Sequence, residues 1–201
     1  MNCSEVQTGP AHIKSVPAFG QTGNGKVLRA FLRFVRENKC QLHVYLVNGI
    51  RLSCQADNYN DDVILSRNNG TSNDGSSRTL PNVTLIKLST VSAIEIVDWK
   101  EHEDAALEMM ESVVEEFESN PRSISTLTHA FMASCRAKET TCEVYLLKSA
   151  KKAHEIIAFD DFTFLSNSDV PCVLNFYQGI STYTAGTLIS DSNIRRLGES
   201  E

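Results

Sequence analysis

The sequence has no uninterrupted apolar run long enough to cross a bilayer. Its first residues, MNCSEVQTGPAHIK, also lack the continuous apolar stretch of a secretory signal. Together these absences predict a cytoplasmic protein with no membrane partner. The six cysteines form no CxxC pair, which argues against a zinc knuckle or a disulfide framework and for reduced thiols. There is no basic excess: 25 acidic residues against 19 Lys and Arg leave a net charge of −6. A polybasic coat that holds nucleic acid by phosphate attraction alone is thereby excluded, and any such contact has to be local. Also missing are a Gly-rich phosphate loop, an HxxxH or HExxH spacing and a recognisable nucleophile motif. The expectation is a protein without catalysis, cofactor or metal.

What is present is a pattern of short periodic segments. Residues 1–25 are polar and aperiodic, predicting a disordered arm. In GKVLRAFLRFVRENK, Val27, Leu28, Phe31, Phe34 and Val35 fall at helical spacing, with Arg29, Arg33 and Arg36 on the other side. Alternating strand composition follows, interrupted at Asn48-Gly49, a dipeptide suited to a type I′ hairpin turn. Turn-formers fill 66–82, and VTLIKLSTVSAIEIV returns to strand. One helix and five strands are predicted for 26–97. Segment 98–120 is acidic, with a stripe of Leu107, Met110, Val114 and Phe117, and reads as a linker helix closed by Asn120-Pro121. A second helix-and-strands cycle occupies 121–188, and 189–201 is a polar tail.

The two cycles are copies. Laid over 126–166 without a gap, 26–66 matches it at Ala30/Ala130, Phe31/Phe131, Arg36/Arg136, Tyr45/Tyr145, Asp61/Asp161 and Leu65/Leu165, among others. They fall out of step only in the turn-rich 66–82 loop, where insertions are best tolerated.

A helix followed by five short, strongly bent strands is the order of the Sm fold. The stretch AFLRFVRENKCQLHVYLVNGIRLSCQADNYNDDVILSRN, above all YLVNGIRL, resembles the bacterial RNA chaperone family Hfq. In the second copy FDDFTFLSN and GISTYTA carry the likeness. The resemblance implies a mainly β protein of two Sm-like barrels, each a short helix plus five bent antiparallel strands, joined by the acidic linker helix. It further implies a ring: three chains, each supplying two barrels, would form a pseudo-hexameric homotrimer.

Three RNA surfaces follow from the resemblance. On the distal face, Tyr45, Asn48, Gly49, Ile50 and Leu52 keep the family's pattern for stacking adenines, and Tyr145 keeps the aromatic in the second copy. There Lys148-Ser149-Ala150-Lys151-Lys152 replaces the turn. The proximal pore keeps Phe162, but Asp161 stands where glutamine is usual and Tyr177-Gln178 replaces a Lys-His pair, so pore binding through Phe162 and Gln178 is expected to be weak or absent. Rim contacts fall to Arg33, Arg36 and Lys39, and to Arg136 in the second copy.

Several of these residues also have structural roles to play. Gly49 serves the turn in any case, and strand alternation puts either Phe162 or Phe164 in the core. Two functions are therefore expected to compete. One is an RNA-binding post-transcriptional regulator that takes A-rich single strands. The other is an Sm-fold scaffold or regulatory subunit that has lost RNA binding and assembles with other proteins.

Overall fold

A computed structural model of the chain describes residues 25–67, 83–119, 126–147, 151–169 and 171–185. The predicted arm before Gly25, most of the 66–82 loop, Asn120-Pro121, the Lys148-Ser149-Ala150 replacement and the polar tail lie outside these residues.

Helix α1 (Lys26–Glu37) buries Val27, Leu28, Phe31, Leu32, Phe34 and Val35 against the sheet. Its end is set by Lys39, a non-glycine residue at φ 53, which turns the chain so that the Cys40 N–H donates to the Val35 carbonyl. Left-handed residues close many helices this way. Strands β1 (Gln41–Leu46), β2 (Arg51–Tyr59), β3 (Val63–Arg67), β4 (Val83–Lys87) and β5 (Val91–Ile96) follow.

A short 3-10 turn leads into α2 (Glu103–Ser119), and then the order repeats. It runs α3 (Leu127–Ala137), β6 (Cys142–Leu146), β7 (Lys151–Phe159), β8 (Thr163–Asn167), β9 (Val173–Phe176) and β10 (Ile180–Ala185).

The repetition extends to register. β2 skips Asp57 in its pairing with β3, going from Ala56↔Ser66 to Asn58↔Leu65. β7 skips Ile157 in the same place, going from Ile156↔Ser166 to Ala158↔Leu165. Lys39 is mirrored by Glu139 at φ 49, and the Arg29–Asp61 ion pair by His129 beside Asp161. A bulge needs one unpaired residue at one place, so its recurrence marks two copies of one folding unit.

The strands make one ten-stranded antiparallel sheet in the order β10-β6-β7-β8-β9-β5-β1-β2-β3-β4. Neither set of five closes on itself by a strand pair; the sets are joined where β5 meets β9 through Ala93↔Asn175 and Ile94↔Leu174. A joint this tight needs a glycine: a Cβ on Gly179 would sit 2.3 Å from the Ser92 Cβ.

Two local expectations are corrected. The Asn48-Gly49 hairpin is not type I′, because only Gly49 has a positive φ, at 88°. The Leu46 N–H donates to Ile50 and the Gly49 N–H donates to Leu46, giving a three-residue loop with a left-handed glycine. The Asn48 side chain accepts from the Ile50 N–H instead of the backbone adopting a left-handed turn.

In α2 the buried stripe is Ala106, Met110 and Val113, with Phe117 partly buried, while Leu107 is 44% exposed. The helix is thus rotated from the expected face, with Ala106 rather than Leu107 turned into the core. α2 runs along α1 and reaches β7, touching both repeats.

Candidate functional site

On β1, Leu42 and Val44 are buried in the core while His43 and Tyr45 point the other way, as strand alternation requires. Tyr45 is half-buried and its hydroxyl donates to Glu95 Oε2 at 2.6 Å. Glu95 also receives the Lys152 ammonium, and Lys152 Nζ stands 5.7 Å from the centre of the Tyr45 ring. Burial, followed by the bond to Glu95, pushes the Tyr45 phenol up to about 12, so the hydroxyl stays protonated as a donor.

Lys152 comes from the other repeat. So do Leu146 and Leu147, which with Tyr45, Leu46, Val47, Gly49 and Ser92 line a cavity of about 20 Å³ at the joint. The pocket around the first tyrosine is thus made by both copies.

The distal residues expected to act together do not all meet. Tyr45 and Gly49 share the cavity. Leu52 pairs with Val44, so it projects to the face opposite Tyr45 and packs on the core of its own repeat. Ile50 is 51% exposed at the hairpin tip, and Asn48 is exposed beside it. Tyr145 repeats Tyr45 in the second copy, its hydroxyl 3.5 Å from Glu143 Oε2. The hydroxyls of Ser92 and Ser181 hold the Tyr45 and Tyr145 carbonyls in the same way, each at 2.9 Å.

The pore residues are drawn into the joint. Gln178 donates its amide to the carbonyls of Leu88 and Val91, at 2.6 and 3.1 Å, locking the repeats together. Phe162 packs partly buried against the core of the first repeat, beside Gly25 at the start of α1.

The rim residues separate into two groups. Arg33, Arg36 and Lys39 are exposed. Arg136 donates to the Ile157 carbonyl at the bulge and to Glu118 at 2.7 Å, and lies 4.9 Å over the Phe117 ring, clamping α2 to the second repeat. Acidic α2 borders the first rim: Arg33 shares a groove with Glu108 and Glu116, and Lys26 pairs with Glu116.

Sequence reasoning missed Glu95, Leu146 and Leu147, and it placed Lys152 at the second copy's own turn rather than beside Tyr45. The strand pattern marks each as an ordinary strand or turn residue; the pairing of β1 with β5 brings Glu95 to Tyr45, and the joint of β5 with β9 brings the other three. Compared with known proteins, the chain matches no family model, and no curated protein matches it at a significant level.

Proposed function

We propose that the chain is a tandem Hfq-like protein, two Sm-type units in one polypeptide, that assembles edge to edge into a ring and binds A-rich single-stranded RNA at the joints. The observation that carries the reading is a difference between equivalent strands. In β9, which is paired on both sides, Leu174 is fully buried; its counterpart in β4, Leu85, is 59% exposed at the sheet's end. β10 stands at the other end, equivalent to β5. Among the described residues each chain therefore holds one completed joint and ends in the two halves of another, and sheet edges of this kind recruit strands. Two units per chain and six per ring give three chains.

Tyr45 at the completed joint presents an aromatic for stacking with an ammonium beside it, and stacking on an aromatic is worth about 1–3 kcal/mol per base. At the joint between chains, Tyr145 would meet Leu46 and Val47 of the next copy, with Leu52 in the place of Lys152, since those are the counterparts of the residues that meet Tyr45. Binding would proceed by stacking and turn contacts, without chemistry. No helix among the described residues is long and apolar enough to cross a membrane.

The scaffold reading draws on different facts. Glu95 sits under the tyrosine, Gln178 is consumed by the joint and α2 places carboxylates beside the Arg33 rim. Fluorescence anisotropy with labelled A-rich and U-rich 18-mers at two salt concentrations separates the readings. RNA binding predicts saturable A-rich binding that weakens with salt and drops about tenfold or more in Tyr45→Ala with assembly unchanged. Absence of binding to either strand at low salt would leave the scaffold.

A further inference from the structure

One cluster of metal-ligating atoms lies away from the joint and has no part in the reading above. The Sγ of Cys40, a carboxylate oxygen of Asp98 and a ring nitrogen of His102 all lie within 4.8 Å of one another. Three segments bring them there. The left-handed turn at Lys39 ends α1 and buries Cys40 completely. Asp98 follows β5, and its two oxygens accept the Gln41 N–H at 2.9 and 3.0 Å, which fixes the carboxylate beside Cys40. One 3-10 turn later His102 opens the approach to α2, its Nε2 3.3 Å from Asp98 Oδ2. Asp98 and His102 are four residues apart on a helical turn, so both face the thiol.

We infer that Cys40, Asp98 and His102 form a zinc site that staples the linker helix to the first repeat. The donor set selects the ion: a thiolate, an imidazole and a carboxylate suit Zn²⁺, whereas Mg²⁺ and Ca²⁺ take oxygens. Ligands at about 2.0–2.3 Å around a tetrahedral ion lie within the separation seen here after a small contraction. Charge balances as well, since a thiolate and a carboxylate neutralise a divalent cation.

Binding releases the Cys40 proton to solvent as the S–Zn bond forms. The side chains of Asp98 and His102 are 15% and 20% exposed, leaving an open side for the ion to enter and for water as the fourth ligand. The second repeat has Thr140 in place of Cys40, so the thiol of the set has no counterpart at that position. Its consequence is mechanical: α2 contacts both repeats, and an ion at its root would fix the acidic helix relative to β1.

The test is independent of RNA binding. The full chain, stripped with chelator, is titrated with Co²⁺ and followed by the thiolate-to-cobalt charge-transfer band. The expected result is saturation at one Co²⁺ per chain, reversed by Zn²⁺, with the band lost in Cys40→Ser and the affinity lowered about tenfold or more in His102→Ala. His102 is partly exposed, so its variant decides the matter even if Cys40→Ser fails to fold. No band in the unmodified chain, or a band unchanged in strength and affinity in His102→Ala, overturns the site.

Discussion

The carboxylate of Asp160, in the second repeat, accepts the backbone N–H of Leu28 in the first, at 3.1 Å. Its other oxygen takes the N–H groups of Phe162 and Thr163 and the Thr163 hydroxyl. One fully buried side chain thus closes its own turn and caps the helix of the neighbouring copy. Burial pushes this carboxyl up while the backbone donors oppose the shift. Asn60, the equivalent residue of the first repeat, makes the same turn through Asp62 and Val63 but is exposed.

Removing that cap should loosen the joint as well as the turn. Asp160→Ala leaves buried N–H groups unpaired and is expected to cost about 2–3 kcal/mol; Asp160→Asn, which keeps an acceptor, should cost less. Urea unfolding of the three proteins measures both. Equal stability of the alanine variant and the unmodified chain would mean that the bond across the repeats contributes nothing.

Gly179 tests the joint from its tightest point. A methyl group there would overlap the Ser92 Cβ and backbone, and Ser92 is itself held by its bond to the Tyr45 carbonyl. Gly179→Ala should destabilise by about 1–3 kcal/mol or more through overpacking. The displacement should reach Tyr45, so a change in tyrosine fluorescence is expected along with the loss in urea midpoint. Gly179→Ala combined with Ser92→Gly, which removes the colliding side chain, should recover part of the loss.

How far the sequence carries the fold can be judged at particular residues. Helical spacing in α1 and strand alternation in β1 are visible because each buries one face of a single element. The repeat is visible because matched residues such as Tyr45 and Tyr145 serve the same local structure. The exposed position of Leu107 is not visible, since the stripes through Leu107 and through Ala106 both have helical spacing and only the tertiary packing chooses between them. The negative φ of Asn48 turns on loop length, set by the register of β1 on β2. The Tyr45 pocket and the Cys40 cluster depend on contacts between segments far apart in the chain, which no local period encodes.

The exposed edge makes a prediction about assembly. In the completed joint Ile94 pairs with Leu174, and the same register applied to the end strands β10 and β4 sets Tyr183 opposite Leu85 of a second copy. Leu85→Arg puts a charge into that interface while altering a residue already in solvent, so the isolated chain should keep its stability. Light scattering should show the unmodified protein at three times the chain mass and the variant at one. Unmodified protein that stays monomeric at high concentration would remove the ring from the proposal.

The last prediction concerns pH. His154 is buried on β7, its Nδ1 2.8 Å from the Ser166 hydroxyl and its ring against Phe164. Burial, then the nearby Lys152 charge, lowers its pKa from 6.5 to about 4, with Glu95 and Asp169 acting weakly in the opposite sense. The folded chain therefore holds this imidazole neutral between those values, where the unfolded chain protonates it. More protons on the unfolded state means that stability rises with pH through the window and is lost as pH falls through it. The contribution, about 3 kcal/mol at full extent, should be present above pH 6.5 and gone near pH 4. Chemical unfolding from pH 7 to pH 4 should show this decline on top of the carboxylate background, and His154→Gln should flatten it. A variant with an unaltered pH slope would show that the loss comes from other groups.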